Sequence, residues 1–207
     1  MSPVAERRRL SPEARRAQLE RATLEVVAAV GYAAAGADAI AAAAGVSKGL
    51  LWHYYDDLDA LMAAAARRGL AELVGEVASA VELEAPVPAL LRGAIHRAAR
   101  LPRTHPDHLR AIRQIVSGLR HADGSPVLDE AEYAGLQTAQ QALFARGQAE
   151  GDVRPDLDAG MLAATYQAAV DGMVDRLLRH PELDPGPVAE LTATVLLDGL
   201  ARDAHTG

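Results

Sequence analysis

The fold of this chain is decided by residues 44–55, AGVSKGLLWHYY, which predict a tight turn followed by a short helix. Gly45 can adopt a positive φ angle, the conformation that ends one helix and redirects the chain. Ser47 is a suitable N-cap for the next helix, because its hydroxyl can accept a hydrogen bond from an amide of the first turn. We therefore expect a helix over about residues 47–54.

This short helix has two different faces. Leu51 and Tyr55 lie four residues apart and are expected to point into the protein core. The opposite face begins with a positive charge and continues with aromatic rings that carry N–H donors. We call it the recognition face, and it consists of Lys48, Gly49, Trp52 and His53. Such a face suits the major groove of DNA, which admits a helix and rewards hydrogen-bond donors near its N-terminal end.

The composition supports this interpretation. The chain has seven aromatic residues, and three of them, Trp52, Tyr54 and Tyr55, lie in this one stretch; Lys48 is the only lysine. The alternative is that the rings belong to the core and Lys48 is a solvated charge. We accept that alternative for Tyr55. For Lys48 with Trp52, His53 and Tyr54, the preceding turn favours the groove-facing interpretation.

Length and composition exclude several classes of protein. A chain of 207 residues, half of them hydrophobic, suits one large domain or two small ones. The absence of cysteine excludes disulfides, thiolate metal sites and a cysteine nucleophile, and it fits a reducing cytoplasm. The first ten residues show no targeting segment, and no apolar run approaches the length of a membrane span. We therefore expect a cytoplasmic protein without a membrane partner.

The net charge of −7 would disfavour binding to nucleic acid if it were spread evenly along the chain. Residues 1–55 carry seven Lys and Arg against five Asp and Glu, so the excess of acid lies in the rest of the chain. A small basic tip on an acidic body can bind DNA locally while the body resists non-specific adhesion. For the arginines at 7–9 alone, a solvated arm is an equally good interpretation.

Helical periodicity continues on both sides of the central stretch. Ser11, Pro12 and Glu13 form a start signal for a first helix that ends at Gly31. A second helix over about residues 37–44 precedes the turn, which completes the spacing of a helix-turn-helix. Asp56 and Asp57 are expected to cap a long fourth helix from Leu58 that runs for more than six turns.

Five further helices are predicted beyond that point, and no strand pattern or internal repeat is present. Their predicted ranges are about 87–101, 106–120, 128–150, 158–179 and 187–201. The fold class is therefore all-α with about nine helices. We divide the chain into a helix-turn-helix DNA-binding domain at 1–57 and a helical ligand-binding and dimerisation domain at 58–207.

The last two predicted helices are apolar around more than half of their circumference. Such a helix must be buried on two sides, and the second side is either the core of its own chain or the same helices of a second chain. We favour a homodimer, since one helix-turn-helix contacts few base pairs and two multiply the affinity. The predicted interface residues are Met173, Leu177, Leu191, Val195 and Leu200.

The chain resembles the tetracycline-repressor (TetR) family of bacterial transcription regulators. The resemblance covers about residues 12–62 and is carried by AGVSKG at 44–49, followed by WHYY at 52–55. Beyond residue 62 the match is one of architecture. The resemblance implies a regulator that binds a palindromic operator as a homodimer, with repression as the default outcome, and that is released or re-set by a small molecule.

The resemblance also implies which residues contact DNA. They are Ala37, Ser47, Lys48, Gly49, Leu50, Trp52, His53 and Tyr54, with Tyr54 and the amide end near Ala37 directed at phosphates. Two positions depart from the family pattern. Ala35 and Gly36 stand where the family usually has Ser or Thr, and Leu58 stands where it usually has Lys. Both departures imply a weaker or differently balanced affinity for DNA.

A ligand pocket is expected among the helices of the C-terminal domain, where ligand binding would tilt the long fourth helix and change the separation of the two recognition helices. Each candidate lining residue has an alternative role in the core or on the surface. The candidates are His96, Gln114, Tyr133, Gln137, Phe144, Met161, Tyr166 and Gln167. The effector itself is an unidentified small molecule.

Two other classes of protein fit the sequence less well. An enzyme is disfavoured, since no nucleophile elbow, phosphate-binding glycine loop, or zinc or calcium spacing occurs; no catalytic residue, metal or cofactor is expected. His105 and His108 make a poor helical metal pair. A helical protein-interaction module without DNA binding is the remaining alternative, but it would not need Lys48 and Trp52 on a capped helix after a glycine turn.

Overall fold

The computed structural model describes residues 10–78, 85–120, 124, 125, 127 and 130–200, with the side chains of 130–134 left out. Over these residues the chain is helical without any β-strand, so the predicted all-α fold is confirmed. The α-helices of this part of the chain are α1 (Pro12–Val30), α2 (Ala37–Ala43), α3 (Lys48–Tyr54), α4 (Leu58–Ala78), α5 (Val87–Ala98), α6 (Leu101–Thr104), α7 (Pro106–Gly118), α8 (Glu130–Glu150), α9 (Ala159–Arg179) and α10 (Pro185–Asp198). A 3-10 helix (Tyr32–Ala34) joins α1 to α2.

Two of the helices begin where the sequence predicts, because a side chain replaces the missing helical partner of an amide. The Ser11 hydroxyl accepts a hydrogen bond from the Ala14 N–H at 3.1 Å and caps α1. The Asp57 carboxylate accepts from the Ala60 N–H at 2.7 Å at the start of α4. Both caps were identified from residue type and position alone.

Two predicted helix boundaries are wrong. The range 87–101 is not one helix: α5 ends at Ala98, and α6 follows as a separate four-residue turn. Pro102 has no N–H to offer the Ala98 carbonyl, so the α-helical ladder cannot continue through it. The last helix begins at Pro185, because the Asp184 carboxylate accepts from the Gly186 N–H at 3.1 Å and caps it earlier than expected.

The chain divides into two compact units. The first consists of Met1–Leu70 with Arg110–Val127, and the second of Ala71–Leu109 with Leu128–Gly207. Helices α4 and α7 therefore contribute residues to both units. The predicted functional boundary after residue 57 differs from this division into compact units, and it stays a prediction.

In the first unit, apolar side chains from α1, α2, α3 and α4 meet in one core. Gly69 shows how closely these helices approach: a Cβ atom there would lie 2.8 Å from Leu24 of α1 and 2.9 Å from Ile112 of α7. Only a glycine permits this packing without a shift of its neighbours. Among the larger apolar side chains of α1 to α4, those with at most 1% exposure are Leu19, Leu24, Val27, Ile40, Leu51, Leu61 and Met62.

In the second unit, α9 packs against α8 and α10. Phe144 and Tyr166 meet edge to face with ring centroids 6.0 Å apart, a favoured geometry for an aromatic pair. Burial raises the pKa of the Tyr166 hydroxyl to about 12, against a smaller lowering by the charge of Arg97. No helix within the described ranges combines the length and apolar character required to cross a bilayer.

Candidate nucleic-acid interface

The turn between α2 and α3 has the backbone geometry that its glycine predicts. Gly45 adopts φ +64°, a conformation that costs little only without a side chain. The N–H of Gly45 donates to the Ala42 carbonyl at 3.0 Å, and the N–H of Val46 donates to the Ala41 carbonyl at 2.9 Å. These bonds end α2 and aim the following residues into a new helix.

Helix α3 then begins as predicted. The Ser47 hydroxyl accepts a hydrogen bond from the Leu50 N–H at 3.2 Å and caps the helix. Leu51 is fully buried and Tyr55 is 7% exposed, which agrees with the core positions expected for both. Because these two residues fix one side of the helix inside the protein, the rotation of α3 about its axis is determined.

The recognition face consequently lies in solvent. Its members Lys48, Gly49, Trp52 and His53 are all exposed, and Trp52 keeps 39% of its surface accessible. A Cβ atom at Gly49 would meet nothing within 4 Å, so the face has an open gap there. The other residues expected at DNA lie nearby in sequence: Ser47 is exposed, and Ala37, Leu50 and Tyr54 are half-buried. Contact of these residues with DNA stays a prediction.

Lys48 has a partner on the preceding helix. Its Nζ atom lies 2.9 Å from Oδ2 of Asp38, in the first turn of α2. Both side chains are largely exposed, Asp38 at 83% and Lys48 at 49%. The one lysine of the chain is therefore neutralised locally by a carboxylate that belongs to the same helix-turn-helix.

Helix α1 holds the α2–α3 segment at its central turn and at its C-terminal end. Gln18 donates from Nε2 to the Ala44 carbonyl at 2.7 Å, just before the turn. Arg16 donates from Nη1 to the Tyr54 carbonyl at 3.1 Å. Its guanidinium also stands over the rings of Tyr54 and Tyr55, at 5.7 and 5.4 Å from their centroids. These contacts oppose fraying at the C-terminal end of a helix of only seven residues.

A buried carboxylate secures the residue that follows α3. Glu20 of α1 is 6% exposed. It accepts a hydrogen bond from the Tyr55 hydroxyl at 2.6 Å and pairs with Arg68 of α4. Burial raises the pKa of the Tyr55 hydroxyl, the hydrogen bond and charge of Glu20 raise it further, and Arg16 lowers it in part. Tyr55 is therefore a neutral donor at physiological pH.

The sequence patterns described above assign no role to Asp38, Arg16 or Glu20. For Glu20 a signal exists, because it stands at i, i+4 and i+7 spacing with Leu24 and Val27 on a buried helical face. A charge on such a face requires a partner. The partners of all three residues lie 10 to 48 positions away in sequence, and helical periodicity alone cannot identify such pairs.

The two departures from the family pattern have local consequences. Gly36 occupies the N-cap position of α2 and offers no side-chain hydrogen bond, so this helix begins without a side-chain cap. Leu58 is the first residue of α4 and is half-buried. Neither position can supply a side-chain contact to a phosphate.

The predicted pocket residues have separate roles. Gln114 lies in the first unit, where its Oε1 accepts from the Tyr32 N–H at 2.9 Å. The Nε2 atom of His96 lies 3.0 Å from Oε2 of Glu190. Gln137 and Met161 are exposed, and the side chain of Tyr133 lies outside the described residues. In the second unit, Phe144 and Tyr166 are buried, and Gln167 accepts from Gln140 at 2.6 Å. A pocket lined by these residues stays a prediction.

The predicted dimer residues fall into two groups. Met173, Leu177 and Leu200 are buried within the single chain, the alternative that the sequence left open for them. Leu191 and Val195 of α10 are 66% and 69% exposed. Being four residues apart, they lie on the same side of the helix.

The structure also bears on metal binding. Among the side chains described, no three of His, Cys, Asp or Glu gather in a way that could hold a metal ion. His105 and His108 meet edge to face at 6.1 Å between ring centroids. His105, which is half-buried in the bend between α6 and α7, also has Nδ1 3.5 Å from Oε2 of Glu76.

The N-terminal part of the chain matches a known family of sequences. Residues 19–65 match the family described as bacterial regulatory proteins, tetR family. The HTH-type transcriptional regulator BetI of Stenotrophomonas maltophilia (strain R551-3) is 45% identical over 64 residues. That match spans 31% of this chain and 33% of the relative, about a third of each protein. The family match includes the turn and the recognition face.

Solved structures extend the similarity to nearly the whole chain. A proposed transcriptional regulator of Pseudomonas aeruginosa PAO1 is 26% identical and superposes with a TM-score of 0.77 over 92% of each chain. The transcriptional regulator FadR of Bacillus subtilis, solved in complex with stearoyl-CoA, is 16% identical with a TM-score of 0.70 over 89% of this chain and 98% of FadR. At this low identity the second similarity shows the shared fold alone.

Proposed function

We propose that this chain is a transcriptional regulator of the TetR family, and not an enzyme, that binds operator DNA through α3; the match of residues 19–65 to that family supports this proposal. One observation supports this above all: a capped helix after a glycine turn presents Lys48, Trp52 and His53 to solvent. A helix of this kind can enter the major groove with its N-terminal residues at the base edges. The functional boundary after residue 57 is part of the proposal.

In the proposed complex the contacts divide by chemistry. Lys48 and His53 offer donors to base edges, and Trp52 offers its indole N–H and apolar surface. Tyr54 and the amides near Ala37 meet the phosphates and set the register of the helix on the duplex. Ser47, Gly49 and Leu50 complete the contact surface, with Gly49 allowing close approach of the backbone. Repression of transcription is the proposed outcome.

The proposed operator is palindromic, because two copies of the chain would present two recognition helices about a two-fold axis. Selection of bound sequences from random duplex DNA is expected to yield two inverted half-sites about 34–36 Å apart, one helical turn, or a multiple of that spacing. A protein that enriches no sequence, and is not retained on a DNA column at low salt, would contradict the proposal. Such a result would favour a protein-interaction module.

We place the dimer interface on the outer side of α10. Leu191 and Val195 form an exposed apolar pair there, and packing against the same helix of a second copy would remove this apolar surface from water. The variant Leu191→Asp, Val195→Asp is expected to sediment as a monomer, since two carboxylates would be buried without partners. Its operator affinity should fall by at least about 100-fold as the second recognition helix is lost.

The matched control for this variant is Val30→Asp, which adds a carboxylate at another exposed valine, 54% accessible, in the first unit. It should leave the oligomeric state unchanged. A wild-type protein that is monomeric at micromolar concentration, or a double variant that remains dimeric, would contradict this interface.

We further propose that a small molecule bound in the C-terminal domain changes the operator affinity. The support is the fold shared with FadR, which was solved with stearoyl-CoA, together with the two helices, α4 and α7, that contribute to both units. A ligand that binds one arrangement of these helices better shifts the population toward it. Titration of candidate effectors into the protein–operator complex, with DNA release as the signal, tests this step.

A further inference from the structure

We propose that Arg97 of α5 anchors an apolar monocarboxylic acid, and this inference rests on the proposed function, in which the effector has no assigned chemistry. Its basis is a buried donor without an acceptor. Among the residues that the structure describes, Nη2 of Arg97 is shielded from solvent and has no hydrogen-bond partner. The Nε atom of the same guanidinium donates to the Val77 carbonyl of α4 at 2.5 Å.

The charge of Arg97 calls for a counter-ion. A guanidinium stays protonated in proteins, so it cannot become neutral when it is buried. A charged group with an unpaired donor in the interior is unfavourable until an anion accepts from it. Arg92 of the same helix pairs with Glu190 of α10, whereas no carboxylate pairs with Arg97 in the described part of the chain. An anion from outside can fill that position.

The guanidinium of Arg97 is held on two sides. Its Nε is bound to α4, and it folds back along its own helix over Gly93, where a Cβ atom would lie 3.0 Å from Nη1. The absence of a side chain at Gly93 therefore gives the guanidinium its place. Arg97 as a whole is half-buried, so an anion can reach the site from solvent. A planar guanidinium suits a carboxylate, whose oxygens match the geometry of its N–H groups.

The second group of the proposed site is the hydroxyl of Tyr166 on α9. The charge of Arg97 lowers the pKa of this hydroxyl, which shows that the two groups interact, while burial raises the pKa further, to about 12. Tyr166 is therefore a neutral donor at physiological pH. One cation and one neutral donor balance a single negative charge. A doubly charged phosphate would leave an uncompensated charge in the interior, so a monocarboxylate fits better.

The body of the ligand is expected to be apolar. Phe144 packs edge to face against Tyr166. Ala163 and Val170 lie three residues before and four residues after Tyr166, on the same side of α9, and both are buried. A hydrocarbon chain or an aromatic ring suits such neighbours, with the carboxylate fixing its orientation.

Isothermal titration calorimetry on the full-length protein tests this site without DNA. The probes are butyrate, octanoate, dodecanoate and phenylacetate, each compared with its neutral primary amide. At least one acid should bind the wild type about 10-fold more tightly than its amide, because a hydrogen bond between charged groups is stronger than one to a neutral group. Arg97→Gln should weaken the binding of that acid at least about 10-fold and weaken the binding of the amide less.

Three further variants separate the anchor from a general effect of charge. Arg97→Lys keeps the charge and should retain part of the preference for the acid. Tyr166→Phe should weaken binding of the acid about 3- to 10-fold, since it removes one neutral donor. Arg92→Gln is the matched control: it removes a cation of the same helix that already has a carboxylate partner, and both affinities should stay unchanged. Far-UV circular dichroism checks that each variant is folded.

The outcomes distinguish this inference from the proposed function. If no acid binds more tightly than its amide, or if folded Arg97→Gln binds the acid as well as the wild type, the inference is overturned even when the protein binds its operator. An equal loss of acid binding in Arg92→Gln would show a general charge effect and also overturn it. If an acid binds through Arg97 but leaves operator affinity unchanged in a gel shift, the site stands and the proposed response to a ligand fails.

Discussion

Replacement of Glu20 by alanine is expected to lower the free energy of unfolding by about 2–4 kcal/mol. Removal of one partner from a buried ion pair costs about 3–5 kcal/mol, because the other charge is left in the interior. Arg68 is 32% exposed, so water can solvate part of its charge and the expected loss is smaller. The Tyr55 hydroxyl also loses its acceptor, which adds the cost of an unpaired buried donor.

Urea unfolding monitored by circular dichroism measures this loss as a lower midpoint. Glu20→Gln should lose less than alanine, because the amide oxygen can still accept from Tyr55. Glu25→Ala serves as the matched control: it removes an exposed acid from the same helix and should change stability by no more than about 0.5 kcal/mol. Equal losses at positions 20 and 25 would show that Glu20 has no special role.

The double variant Lys48→Ala, Trp52→Ala is expected to bind the selected operator at least about 100-fold more weakly than the wild type. A side-chain contact with a base edge is worth about 1–3 kcal/mol, and each 1.4 kcal/mol is a factor of ten in affinity. A dimer loses these contacts in both of its recognition helices. Both side chains are exposed, so the fold should survive their truncation.

A gel shift with the selected operator tests this expectation, with far-UV circular dichroism and sedimentation as checks that the variant is a folded dimer. Arg179→Ala is the matched control, since it removes an exposed cation from the second unit and should leave the gel shift unchanged. A folded dimer of the double variant with undiminished affinity would mean that the recognition face has been assigned to the wrong residues.

The Glu20 variant tests the stability of the first unit, and the Lys48, Trp52 double variant tests its contacts with DNA. Glu20 holds Tyr55 in the core, and Tyr55 together with Leu51 fixes which side of α3 is buried. Lys48 and Trp52 lie on the opposite side of α3 and are exposed to solvent. A loss at position 20 should therefore reduce DNA binding only as the first unit unfolds, whereas loss of the recognition face should reduce it in a stable protein.

The sequence by itself determined the all-α class, the turn at Gly45, the caps at Ser11 and Ser47, and the burial of Leu51 opposite Lys48. All of these depend on interactions within one or two helical turns, where residue type and spacing are sufficient. The break at Pro102 follows in the same way, since a proline interrupts the helical ladder, and the predicted range 87–101 stops just before it. The sequence pattern did not indicate that α5 already ends at Ala98 or that Leu101 begins a separate short helix.

Only the tertiary structure decided which side chains meet across the chain. The pair Asp38–Lys48, the brace from Arg16 and the buried Glu20 depend on how α1, α2 and α4 are placed in space. It also separated Met173, Leu177 and Leu200, which are core, from Leu191 and Val195, which are exposed. The apolar pattern of a helix indicates how much of its surface must be buried. Whether the same chain or a second chain buries that surface depends on packing between distant segments, which helical periodicity does not encode.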